Sequence, residues 1–72
     1  MTPAQRLQYN LASRGIIATR SGNQWQLLQT DTRTAYAALF DPATISTATY
    51  KAIPNARNGY THTTREVKEY LK

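Results

Sequence analysis

The chain has 72 residues, nine Lys plus Arg against four Asp plus Glu, a formal net charge of +5, and no Cys. A chain this short buries only about 60% of the surface it exposes when unfolded, so it is read as one domain spanning residues 1–72. Without Cys there is neither a disulfide framework nor a thiolate metal site, and no apolar run nears the roughly 18 residues of a membrane span, which together predict a soluble, cytoplasmic protein with no membrane partner.

Thr2 followed by Pro3 opens a helix. The hydroxyl can accept from a free N–H, and Pro stands where its missing donor costs nothing. Ala4, Leu7 and Leu11 recur on one face until Arg14 and Gly15 supply a terminal cation and a left-handed stop, so the spacing predicts a helix over 3–14. The runs GIIATR and QWQLLQT flank Ser21-Gly22-Asn23 and read as a hairpin. Trp25 and Leu27 share one face of the second run, with Gln24, Gln26 and Leu28 on the other, and so large a side chain as Trp25 belongs in the core.

Asp31-Thr32-Arg33 reads as a turn, and TAYAALF alternates Tyr36, Ala38 and Phe40 against Ala35, Ala37 and Leu39, which predicts a third strand over 34–40. Its three Ala residues would equally suit a short helix. Asp41-Pro42 repeats the helix-start chemistry of Thr2-Pro3, so 42–53 is expected to form a second helix or, because its many Thr residues disfavour that, a fourth strand. Thr63 and Glu66 form a capping-box signature for a terminal helix with Val67, Tyr70 and Leu71 on its apolar edge.

The expected fold is a small single-domain α+β, with an N-terminal helix, a three- or four-stranded antiparallel sheet and a C-terminal helix. Its order is α-β-β-β-α-α or α-β-β-β-β-α, with helices on one face of the sheet and the other left to water or a partner. The α-β-β-β-α succession is loosely similar to that of the double-stranded-RNA-binding fold and of small toxins built on it. The chain lacks the Lys-Lys pair at the start of the last helix and the His in the first hairpin turn that carry function in those families.

For catalysis the residues offer little. None of the four carboxylates is spaced to pair for acid and base work, nothing in the spacing orients His62 as a triad would need, and no glycine-rich phosphate loop appears. A lone His without Cys supports no zinc site, and no cofactor is expected. One arrangement, His62 with Arg57, Tyr60 and Arg65, could serve RNA cleavage, but the expectation is a non-enzymatic protein.

Binding has better material. Six of the nine cations are Arg, whose planar fork suits phosphate, and they are spread evenly along the chain, so a basic surface must be assembled by folding. Arg20, Asn23, Arg33 and Arg57 fall in or beside predicted turns; Tyr60 and His62 follow Asn58-Gly59; Arg65 and Lys68 open the last helix. These eight residues are the expected contact set for nucleic acid, DNA or RNA, with Tyr36, Tyr50, Tyr60 and Trp25 able to stack on bases and Gln24, Gln26, Asn55 and Asn58 able to offer paired donors and acceptors to base edges. The alternative is a small inhibitor or adaptor, of the type found among phage and mobile-element accessory proteins, that binds an acidic protein surface in a host enzyme.

Overall fold

The computed structural model describes residues 1–55 and 59–71. Its elements are α1 (Pro3–Ala12), β1 (Ile16–Ser21), β2 (Gln24–Gln29), α2 (Thr32–Phe40), α3 (Thr44–Thr47), β3 (Lys51–Ala52), β4 (Thr61–Thr63) and α4 (Thr64–Tyr70). The class is mixed α+β, with an N-terminal helix, an antiparallel sheet and a C-terminal helix.

The locally signalled elements form where expected. Thr2 caps α1 in a reciprocal box, its Oγ1 accepting from Gln5 N at 3.1 Å while Gln5 Oε1 accepts from Thr2 N at 2.9 Å. The helix ends at Ala12, two residues before the expected end, so Arg14 lies past its last turn and donates instead to the Leu71 carbonyl at 3.0 Å, while the Gly15 N–H bonds back to the Ala12 carbonyl at 2.9 Å. In the hairpin Ser21 faces Gln24 across a two-residue turn, with positive φ at Gly22 (+62°) but not at Asn23, the pattern of a type II′ turn.

The middle of the chain differs from expectation. Residues 34–40 are helix, not strand: Asp31 caps α2, its carboxylate accepting from Thr34 N at 2.9 Å and from the Thr34 hydroxyl. Those two bonds hold the exposed Asp31 carboxyl below its ordinary value of 3.8. Capping and turn chemistry use the same residue types, and the apolar residues that pack on the sheet, Ala35, Ala38 and Leu39, follow helical rather than alternating spacing. Neither reading of 42–53 holds over its full length. Only Thr44–Thr47 is helical, with the Ser46 and Thr47 hydroxyls bonding back to the Ala43 and Thr44 carbonyls, and Lys51–Ala52 is strand. The order is therefore α-β-β-α-α-β-β-α, which also departs from the double-stranded-RNA-binding succession.

β3 and β4 behave as one interrupted strand. Both pair antiparallel with β2, Lys51–Ala52 against Leu28–Gln29 and Thr61–Thr63 against Gln24–Gln26. β2 is thus central, and the sheet has a turn end (Ser21–Gln24) and a base (Ile16–Gln29).

Helices cover both faces, not one. On the first, Ile16, Ala18, Trp25 and Leu27 pack with Leu11 of α1 and Val67 of α4. On the second, Ile17 and Leu28 pack with Ala12, Ala35 and Ala38. That second cover reaches only the base: Thr19, Ser21, Gln24, Gln26 and Thr61 stay exposed at the turn end.

Gly15 is where the backbone is least forgiving. Its φ is +74°, and a Cβ there would lie 2.6 Å from the Thr30 carbonyl oxygen, whereas Gly22 has nothing within 4 Å. Gly15→Ala is expected to cost about 1–3 kcal/mol from the left-handed backbone, with the displaced carbonyl adding to it, while Gly22→Ala, strained by φ alone, costs less. Urea unfolding of the two variants measures the difference, and equal losses would refute the close-approach argument.

Candidate nucleic-acid interface

Three features converge on the turn end of the sheet: the hairpin turn, the start of α1 and the start of α4. Trp25 joins them. Its ring is buried (1% exposed), it faces Arg20 in β1 and His62 in β4, and its Nε1 donates to Thr64 Oγ1 at 3.0 Å. The Arg20 guanidinium lies over the same ring, 5.8 Å from its centroid, and Nε donates to the Gly22 carbonyl at 2.9 Å. The side chain is thereby oriented, while its terminal nitrogens have no protein partner among the described residues.

Beside this pair runs an open cleft of about 200 Å³. Pro3, Ala4 and Leu7 form one wall, Thr64 and Lys68 the other, with Arg20 and Trp25 completing the lining. Arg65 is exposed one helical turn before Lys68. Among the described residues neither Arg20, Arg65 nor Lys68 makes an ion pair with a carboxylate.

The eight sequence-nominated residues thus separate. Arg20, Asn23, Arg65 and Lys68 come together at the turn end, and Tyr60 is exposed just before β4. Arg33 is exposed in the first turn of α2, which starts beside Gly15 at the base, away from the others. Arg57 lies outside the described residues. His62 is not displayed on a loop: it is buried in β4, and its Nε2 is 3.1 Å from the Ile53 carbonyl. A carbonyl only accepts, so Nε2 carries the proton in that bond.

Asn55 and Glu66 accordingly brace β4 and the start of α4. Asn55 is buried and pairs its backbone with Gly59; its Nδ2 donates to the Thr61 carbonyl at 2.6 Å and to Glu66 Oε2 at 2.8 Å. Glu66 Oε1 accepts from Thr63 N at 2.9 Å, and Glu66 N donates to Thr63 Oγ1 at 3.3 Å, completing the capping box foreseen from Thr63 and Glu66. What the sequence did not reveal is that Asn55 extends this box to the loop. No sequence-local signal marks a partner eleven residues away.

Two further observations bound the chemistry. Among the described residues no three His, Cys, Asp or Glu side chains gather to hold a metal ion, and no helix is long and apolar enough to cross a membrane. No family model, curated protein or solved structure matches the chain.

Asn55→Ala leaves the Thr61 carbonyl and the Glu66 carboxylate without that donor, and a loss of about 1–3 kcal/mol is expected. Amide exchange at Ile53 and Thr61 should accelerate more than at Leu27. Uniform acceleration would mean that Asn55 acts on global stability alone.

Proposed function

We propose that this protein binds nucleic acid, without catalysis, through the turn end of its sheet. The observation that carries the reading is the shared cleft of Arg20 and Lys68, two cations far apart in sequence, neither paired with a carboxylate among the described residues. A cation that serves solubility alone needs no fixed geometry. Arg20 has one, set by the Gly22 carbonyl and the Trp25 ring, with its terminal fork left for an anion. Arg65 and Lys68 extend the positive surface along α4, and the net charge of +5 adds long-range attraction for a polyanion.

A binding role also accords with how the groups suited to acid and base chemistry are used. His62 is committed to the Ile53 carbonyl, Asp31 to capping α2, Asp41 to the Ala43 N–H and Glu66 to the brace. None of these faces the cleft.

A second reading, a small inhibitor or adaptor that binds another protein, draws on a different surface. Phe40 ends α2 at 80% exposure beside Met1 (76%) and Tyr9 (44%), around a hollow of about 360 Å³ also lined by Leu39. Exposed apolar side chains clustered in this way suit a protein partner. On that reading Arg20 and Lys68 make no contact with nucleic acid.

The double variant Arg20→Ala/Lys68→Ala separates the two. Nucleic-acid binding predicts weaker affinity and a log K against log salt slope shallower by about two counterions, measured by fluorescence anisotropy on a short labelled duplex. Unchanged affinity and slope would overturn the assignment.

A further inference from the structure

We propose, building on the nucleic-acid reading above, that the exposed turn-end half of the second sheet face is a reading surface for the major groove of duplex DNA, with Gln24 and Gln26 addressing the bases. Strand alternation and register place Ser21, Gln24 and Thr63 in one row across the three strands, and Thr19, Gln26 and Thr61 in the next. The following row, Ile17, Leu28 and Ala52, lies under α2 and α3. Two polar rows therefore project beyond the helical cover as one uncharged surface.

Its chemistry is specific. The side chains of Thr19, Ser21, Gln24 and Gln26 make no hydrogen bond within the described protein, so their donors and acceptors are available. Thr63 is spent on capping α4. No carboxylate stands in either row; Glu66, which reaches back to Thr63 N, is bound there and to Asn55. A surface rich in paired donors and acceptors but free of negative charge suits base edges flanked by phosphates. Arg65, in the first turn after β4, stands at one margin of this surface, whereas Arg20 points with Trp25 to the opposite face and belongs to the phosphate cleft.

The dimensions agree. Three strands at about 4.8 Å spacing make a backbone ribbon about 10 Å wide, within the roughly 12 Å of a B-form major groove. Gln24 and Gln26, two residues apart on one strand, are separated by about 6.8 Å, close to two base-pair steps of about 3.4 Å. Gln presents the amide that pairs bidentately with adenine N6 and N7, and the methyls of Thr19 and Thr61, one on each side of Gln26, can meet thymine methyls. An A-form RNA duplex is excluded as the occupant, because its major groove is too deep and narrow for a sheet to enter.

The test is selection from a random duplex-DNA library by the full chain and by Gln24→Ala/Gln26→Ala, with circular dichroism confirming that the variant folds. The expected result is a motif with adenines two steps apart for the unaltered protein. The variant should lose preference by about tenfold per adenine yet keep its salt slope, since no charge has been removed. A duplex carrying bulky glucosyl groups in the major groove should bind more weakly than the plain one. Absence of a motif, a motif retained by the variant, or equal affinity for an A-form RNA duplex would overturn the groove assignment while leaving phosphate binding by Arg20 and Lys68 intact. Failure of the unaltered protein to bind any duplex at low salt would overturn both.

Discussion

The Trp25 side chain is the interaction on which the rest of the molecule depends. It stands at the turn end of the central strand, where Arg20 and His62 are its neighbours across the sheet, and its ring lies in the core formed with Leu11, Leu27 and Val67. Its one polar atom reaches out of that core to Thr64, in the first turn of α4. A single residue thus fixes the hairpin, the return strand and the last helix together. Truncating a buried Trp typically costs about 3–5 kcal/mol, against a total of about 5–15 for an ordinary domain, of which one this small is expected to hold the lower part. The cleft between α1 and α4 and the orientation of Arg20 are both consequences of where that ring sits.

A three-stranded sheet has two edge strands for every central one, and each edge here is closed by side chains from its own neighbourhood. On β1, Gln8 of α1 donates to the Ala18 carbonyl at 3.0 Å. On the other side, Asn55 takes the Thr61 carbonyl and Glu66 takes the Thr63 N–H. Each such bond withdraws one edge group from pairing with a further strand. What remains for recognition is a face and an end of the sheet, not its margin, which is why the polar rows and the basic cleft carry the functional reading.

Legibility from sequence followed the range of the interactions. The Thr2 and Thr63 caps, the Gly22 turn and the burial of Trp25 rest on contacts or propensities within a few residues, and each could be read directly. The Asp31 segment is ambiguous in sequence because a capping Asp and a turn Asp look alike, and because Ala is compatible with either period. The covering of the second face depends on the same segment, since α2 is the element that covers it. Among the site residues, side-chain chemistry marks Arg20, Lys68 and Arg33 alike; the packing of α4 against the sheet brings Lys68 to Arg20, while Arg33 folds to the opposite end. The burial of His62 and Asn55 was hidden because their partners, Ile53, Thr61 and Glu66, become neighbours only once β4 returns to β2.

An amide chemical-shift map of the labelled protein, titrated with a short B-form duplex at low salt, tests the central claim most directly. Shifts concentrated at residues 19–26 and 61–68, fading as salt rises, are the predicted result. A map centred on Tyr9, Leu39 and Phe40, or one spread evenly over the surface with Arg33 responding as strongly as Arg20, would contradict it.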